Sequence, residues 1–367
     1  MNTKYTIIIA VVAIAIIAGS FLAYSFLSNP AAETVLLNGS GASFPYPLLE
    51  SMINDYQASK TNVQINYQPS GSGGGIANLK DKIVDFAGSD APLSSSEAAD
   101  IQNVLHIPET IGAVTVAYNI QGVPSGLKLT GQVVADIFQG KITMWNDPAI
   151  TSLNPGVTLP ESAINTVHRS EGSGTTYIFT GYLSKVSQSW NTTIGQGKSV
   201  AWPGGLASQG NTGVASLVNS TSNSIGYVEL AYALQTGMPV AAIQNPSGNF
   251  VLPTLESTTA AAEAVASSGL PAGSESWTNV NLLNANDPDA YPIVSFTYLL
   301  VYKELNDIPG MTQSTATALV QFLWYVVHDG QDLASSLEYA QLPSNVVAID
   351  EATIQSITFN GQSLQTS

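Results

Sequence analysis

Cysteine is absent from the chain, which excludes disulfides, thiol chemistry and cysteine-bound metals. Basic residues are scarce: nine lysines and one arginine, Arg169, stand against 26 carboxylates, for a formal net charge of −16. No basic cluster is available to neutralise a phosphate backbone, so no nucleic-acid partner is expected. The three histidines, His106, His168 and His328, lack metal-ligand spacing, and no metal site is expected. Cofactor and nucleotide motifs are missing too. "TTIGQGKS", residues 192–199, ends as a P-loop does but carries Thr192 where the first glycine belongs. The glycine-rich stretch at 71–75 is not GxGxxG, and no GxSxG elbow accompanies His168 and Ser173. No cofactor and no enzymatic activity are expected. Charged residues make up only 10% of the chain, well below the roughly 25% of an average soluble protein. Ser, Thr, Asn and Gln must therefore supply much of the polar surface.

With 367 residues the chain is long enough for two domains. It begins with an almost unbroken apolar run, residues 6–27. About 20 apolar residues span a bilayer. A cleaved signal peptide has a shorter apolar core and a small-residue cleavage site, which is unclear here. Residues 1–30 are expected to form an uncleaved membrane anchor, with a signal peptide as the alternative. In either case the rest of the chain is exported, which the sequons at Asn38, Asn191 and Asn219 permit.

Beyond this run, strands and helices alternate as in an α/β protein with parallel strands. "VLLN" leads through a Gly-Ser loop into a helix with Leu48, Leu49, Met52, Ile53 and Tyr56 on one face. "VQINYQ" alternates as a strand, and "IVDFAGSDAPLS" reads as strand, loop and a helix from Ser95. Long strands are expected at 111–120 and 291–303, and helices at 312–340. The second half of the 111–120 strand suits a crossover between domains. Neither internal repeats nor a low-complexity linker are present, so the domains are expected to be joined by crossing strands rather than strung end to end.

Three Gly/Ser loops share one arrangement: 39–44, 70–75 and 171–175 each follow a strand and lead into a helix. Loops at the carboxyl ends of strands are where open α/β sheets take ligands. Helix N-termini present unpaired N–H groups and the positive end of a dipole, which suit an anion. Ordinary capping and turn chemistry would use the same residue types. Arg169, beside the third loop, offers a planar fork of donors that matches a tetrahedral oxyanion, with Glu171 placed to orient it. Asp90 follows the strand in "AGSDAP". A carboxylate next to an anion is useful where the anion carries a proton, as hydrogen phosphate does and sulfate does not. On local sequence alone, a helix cap before "APLSSSEAAD" is the favoured reading of Asp90.

"GSGASFPYP", "YQPSGSGGGIANL", "VDFAGSDAPLS", "HRSEGSGTTYIFTGYL", "SVAWPGG" and "SIGYVELAYA" stand in an order that resembles the phosphate-binding proteins of phosphate ABC transporters, over roughly residues 35–345. The resemblance implies an α/β, two-lobed clamshell of the type II periplasmic-binding-protein kind, with crossover strands as hinge. It implies one lobe of residues 35–118 and 293–367 and a second of 119–292. It also implies a phosphate site made by Ser43, the backbone of Phe44, Ser72, Asp90, Arg169, Ser173, Gly174 and Thr175, with Asp90 accepting the phosphate proton. An ABC permease is the implied partner, the chain itself being a monomer anchored at the outer face of the membrane. Ser43 stands where the family often has threonine, and Glu171 where aspartate is common. The lipid-anchor cysteine of many bacterial members is missing, consistent with anchoring by an apolar span. Receptors for sulfate, molybdate or tungstate, a secreted phosphatase and an adhesive surface protein are the alternatives.

Overall fold

A computed structural model describes residues 34–266 and 269–366. The apolar run at 6–27, and with it the expected anchor, lies outside the described residues. Among the described residues no helix is long and apolar enough to cross a membrane.

The framework is one eight-stranded mixed sheet with the order β2-β1-β3-β11-β4-β8-β6-β7. β1 (Val35–Gly41), β2 (Val63–Gln68) and β3 (Phe86–Ser89) are parallel, as the strand–helix alternation predicts. The centre is not parallel. β11 (Val294–Tyr302) runs antiparallel between β3 and β4 (Val104–Asn119), and β4 is antiparallel to β8 (Ser224–Glu229). β6 (Asn165–Arg169) then pairs parallel with both β8 and β7 (Leu206–Ser208). A small separate sheet joins β5 (Lys128–Leu129), β9 (Ala242–Gln244) and β10 (Phe250–Val251).

β4 is the strand that links the two halves of the sheet. Its first part, residues 104–113, pairs with β11, and its second, 114–119, with β8. It starts seven residues before the expected 111 because "LHIPET" carries His, Pro and Glu, which hide a strand from an apolar pattern. All three are nonetheless buried in the ladder or beside it. Pro108 has no N–H to donate, and the register shifts there: Thr297 faces Thr110 while Tyr298 faces Pro108. Glu109 is thus the extra residue of a β-bulge, a device that re-aims a side chain.

Helices cover the sheet. α1 (Tyr46–Ser59) buries Leu48, Leu49, Met52, Ile53 and Tyr56, the face its spacing predicts. Each such large apolar side chain contributes on the order of 1.5–3 kcal/mol on burial. α2 (Ser72–Lys80) follows β2, and α3 (Gly174–Val186) follows β6. α4 (Gly210–Ser220) packs Val214 and Val218 on Val167 and Val228 of the β6–β8 pair. The expected helical stretch at 312–340 is one helix, α5 (Gln313–Val327), followed by two short 3₁₀ turns. Asp329-Gly330 breaks it, and His328 already departs from helical dihedrals at φ −119°, ψ −103°. A further helix, Ser344–Gln355, begins after Pro343 and was not expected from the sequence.

Gly41 closes β1 at φ +142°, and a Cβ there would lie 2.1 Å from the Gly88 carbonyl oxygen of β3. Backbone meets backbone at this point, so neither side can yield cheaply. Gly41→Ala is expected to lower stability by about 2–4 kcal/mol, read as a fall in the urea midpoint. An unchanged midpoint would mean that the β1–β3 approach is not the tight contact described.

Candidate anion-binding site

The loops after β1, β3 and β6 and the first turns of α2, α3 and α4 meet along one seam. Ser72, the first residue of α2, holds it together. Its Oγ accepts hydrogen bonds from the backbone N–H of Asp90 at 3.1 Å and of Gly174 at 3.1 Å. Both acceptor positions of the hydroxyl are then filled, and its proton remains free to donate. Gly73 N–H donates to the Gly172 carbonyl at 2.8 Å, and Lys198 Nζ reaches the Glu97 carboxylate at 2.7 Å.

Ser43 enters from the β1 loop. Its Oγ accepts from Asn211 N–H at 3.1 Å and Asn211 Nδ2 at 3.0 Å, while its carbonyl accepts from the Tyr232 hydroxyl at 2.6 Å. Phe44 sends its ring into the core, against the Cα face of Gly112. Only its backbone faces the seam, and its carbonyl accepts from the Tyr339 hydroxyl at 2.7 Å.

From the other side, Arg169 ends β6 and is buried. Its Nη1 donates to Thr175 Oγ1 at 3.0 Å, and its Nε donates to Glu171 Oε1 at 2.8 Å, with Nη2 on the same oxygen. Glu171 Oε1 also accepts from Gly210 N–H at 3.0 Å, so the carboxylate is itself fixed by the start of α4. Ser173 is the N-cap of α3, its Oγ accepting from Thr176 N–H at 3.1 Å. With the Gly174 N–H on Ser72 Oγ, this leaves the N–H of Thr175 at the mouth of a 13-residue helix. Gly174 is required by space: a Cβ there would fall 2.4 Å from Ser72 Oγ and 2.6 Å from Asp90 Oδ2. Asp90 Oδ2 therefore faces the helix mouth, whereas Oδ1 points back to Thr297 Oγ1 at 3.1 Å.

The electrostatics follow from burial. Burial pushes the Asp90 carboxyl up to about 7, against the pull of the Arg169 guanidinium and of the Thr297, Thr175 and Ser72 hydroxyls. Burial also raises Glu109, to about 8, with the neighbouring Asp90 charge adding to it. For Glu171 burial is overcome by the Arg169 charge and its hydrogen bonds, and the carboxyl ends below its usual range. The chemistry on offer is a set of hydroxyl, guanidinium and helix N–H donors around one carboxylate acceptor. That set suits a tetrahedral anion which still carries a proton.

All eight residues singled out from the sequence belong to this cluster, with Phe44 contributing backbone alone. The local reading of Asp90 as a helix cap is wrong. Ser94 caps the helix Ser95–Asp100 in a capping box with Glu97, and Asp90 is buried at the seam. His168 takes no part: its Nδ1 donates to the Arg169 carbonyl at 3.0 Å and its ring stacks on Trp202 at 4.9 Å. It does not touch Ser173, so no nucleophile–base pair forms there. Sequence reasoning missed Asn211, which bridges Ser43 and Thr175 (Nδ2 to Thr175 Oγ1, 3.1 Å). It also missed Thr297 and Glu109. Asn211 carried a signal, as a polar residue at the start of a helix behind a Ser-Gln-Gly turn. Glu109 did as well, as the lone carboxylate inside a buried strand.

Gly174→Ala is expected to weaken oxyanion binding by about 10- to 100-fold, the cost of about 1–3 kcal/mol for overpacking a closed seam. Arg169→Lys is expected to weaken it about 10-fold or more by loss of the planar fork, while Lys60→Ala, far from the seam, changes nothing. Equilibrium dialysis with radiolabelled oxyanions reads all three, and equal losses for Arg169→Lys and Lys60→Ala would show that the site is misplaced.

The chain is similar over most of its length to known proteins. The profile of the PBP superfamily domain matches residues 28–329. The phosphate-binding protein PstS of Xylella fastidiosa is 45% identical over 332 residues, covering 88% of this chain and 86% of that one. The PstS of Pasteurella multocida is 42% identical over 88% of this chain and 90% of its own, and that of Methanocaldococcus jannaschii 39% over 88% and 86%. Among solved structures, the phosphate-binding protein PfluDING, bound with phosphate, superposes with a TM-score of 0.67 at 20% identity, covering 86% of this chain and 93% of that one. A phosphate-binding protein from Stenotrophomonas maltophilia gives 0.63 at 19% identity over the same shares. At these identities the structural likeness establishes the fold, a two-lobed α/β periplasmic-binding-protein fold. With the sequence identity to the curated relatives, it follows that the chain belongs to the PstS family of phosphate-binding proteins in the PBP superfamily.

Proposed function

We propose that this protein captures inorganic phosphate outside the cytoplasm and delivers it to an ABC permease, as a solute-binding protein and not as an enzyme. The observation that carries this reading is the buried Asp90 carboxylate among donors: Ser72 and Thr297 hydroxyls, Arg169 Nη1 and the N-terminus of α3. Ser43, the Phe44 backbone, Ser72, Arg169, Ser173, Gly174 and Thr175 supply or position donors for the phosphate oxygens. Asp90 accepts the hydrogen bond from the remaining phosphate proton through Oδ2. Sulfate has no proton to give, so the same oxygen repels it.

Residues 35–118 with 293–367 and residues 119–292 act as the two lobes, hinged where β4 passes from β11 to β8. Ser72, Ser43 and Asp90 come from one lobe and Arg169 to Thr175 from the other. Only the closed form satisfies both sets of contacts, so phosphate shifts the equilibrium towards closure. The net charge of −16 does not oppose capture, because exposed charges farther off than about 8–10 Å are screened at physiological salt. The protein works as a monomer, held at the outer face of the membrane by the apolar run at 6–27.

Isothermal titration of the protein with phosphate and with sulfate tests the reading. Phosphate is expected to bind at least 100-fold more tightly, since a ligand that leaves a buried carboxylate facing another anion loses several kcal/mol. Equal affinities would contradict the role given to Asp90.

A further inference from the structure

We propose that Glu109 holds a proton in the folded protein and donates it to Thr297 Oγ1, so that Thr297 in turn must donate to Asp90 and fixes Asp90 as an acceptor towards the ligand. This assignment rests on the phosphate-receptor reading above and makes Glu109 a specificity-determining positioning residue that never touches phosphate.

The argument is a count of hydrogens. Thr297 Oγ1 lies 3.1 Å from Asp90 Oδ1 and 3.2 Å from Glu109 Oε1. A hydroxyl has one proton to donate. Two ionised carboxylates would both require it, leaving one buried charge unsatisfied and facing the other. The arrangement is satisfied when one carboxyl is protonated and donates to the hydroxyl oxygen. Asp90 is the member that takes the charge. Arg169 draws on it from β6, and it also has the Ser72 and Thr175 hydroxyls beside it, whereas Thr297 is the one hydroxyl acting on Glu109. The chain Glu109 O–H···Oγ1 Thr297, O–H···Oδ1 Asp90 then runs in one direction, and Oδ2 is left to accept from the ligand.

The fold builds this chain deliberately. Glu109 is the extra residue of the bulge that Pro108 forces in β4, and the bulge aims its side chain across at Thr297 of β11. Gln331, from the turn after α5, donates Nε2 to the Glu109 carbonyl at 2.9 Å and to the Val326 carbonyl at 2.8 Å, which holds the bulge in place. Among titratable groups, Asp90 faces Glu109 from the β3 loop and Tyr67 from β2, the latter ionising only far above neutrality. Arg169, Tyr232 and Tyr339 act on the Asp90 side. Burial and the Asp90 charge both keep the Glu109 proton in place, and raise its carboxyl to about 8.

The sign of the pH dependence follows. Below that value Glu109 is protonated, and above about 7, to which burial raises Asp90, Asp90 is the ionised and fixed acceptor. As pH rises through it, Glu109 ionises, the Thr297 hydroxyl is drawn to it, and Asp90 loses its donor while gaining a like charge. Phosphate binding, and its preference over sulfate, then declines. Hydrogen phosphate keeps its last proton over this range, and comparing wild type with a variant that lacks the Glu109 carboxyl separates the second ionisation of phosphate from the change in the protein.

Full-length chain in detergent, as wild type, Glu109→Gln, Thr297→Val and Thr297→Ser, is titrated calorimetrically with inorganic phosphate and with sulfate from pH 6 to 9.5. Glutamine has an N–H to donate and no proton to lose. Between pH 7 and 9.5 the wild-type phosphate-to-sulfate preference is expected to fall at least 10-fold more than that of Glu109→Gln, a comparison in which the titration of the ligands cancels. Thr297→Val is expected to lose at least 10-fold of the preference already at pH 7, and Thr297→Ser to restore it. A carboxyl ¹³C spectrum of wild type at pH 7 should include a protonated resonance that Glu109→Gln removes. Superimposable pH profiles for wild type and Glu109→Gln, or an ionised Glu109 at pH 7, would overturn the assignment while leaving the receptor intact. Failure of every variant, wild type included, to bind phosphate would overturn the receptor reading instead.

Discussion

A carboxylate buried beside an anion is tolerable only where every hydrogen bond around it has a settled direction. Asp90 is that carboxylate, and the seam is organised around it. Its backbone N–H is tied to Ser72 Oγ, its Oδ1 to Thr297, and its Oδ2 is pressed towards the mouth of α3, where Gly174 leaves no room for a Cβ. The compensating positive charge is Arg169, the single arginine of the chain, itself gripped by Glu171 and Thr175. A chain that is poor in charge overall concentrates four ionisable groups, Asp90, Glu109, Arg169 and Glu171, in and behind one site. Low dielectric around them makes each pairing count for more than a surface ion pair would.

The fold places these groups through its mixed sheet. A wholly parallel sheet would set the β1, β3 and β6 loops in one row. Inserting β11 and β4 antiparallel at the centre instead lets β4 carry the chain from one half of the sheet to the other. The same two strands supply Thr297 and Glu109, so the strands that join the halves also set the hydrogen-bond direction at Asp90. In the proposed mechanism closure and selectivity thereby share one piece of backbone. Ser72 serves both halves too, since its hydroxyl accepts from Asp90 on one side and Gly174 on the other.

What could be read from the sequence was what depends on short-range order. The apolar face of α1, the three Gly/Ser loops and the helix start at Ser173 are local, and each loop residue singled out lies at the seam. The lone arginine was legible because scarcity itself is informative. Asp90 was ambiguous, because capping and ligand binding ask for the same residue after a strand. Only the position of Ser94, four residues on, separates them in space. The antiparallel centre of the sheet was not legible, since pairing of β11 with β3 and β4 joins residues about 200 apart and leaves no local mark. Glu109 escaped for a similar reason. Its neighbour Pro108 looks like a strand breaker, and only the pairing with Thr297 turns that proline into the cause of a bulge.

The account's central claim is that a protonated tetrahedral anion sits between the α3 mouth and Asp90 Oδ2. A crystal structure of the phosphate complex tests it most directly. The claim predicts one phosphate oxygen within about 2.5–2.7 Å of Asp90 Oδ2, the length of a charge-assisted O–H···O bond, with Arg169 Nη1, the Ser72 hydroxyl and the N–H of Thr175 on the other oxygens. Phosphate bound elsewhere, or bound at the seam with Asp90 turned away and no oxygen within hydrogen-bond reach, would contradict it.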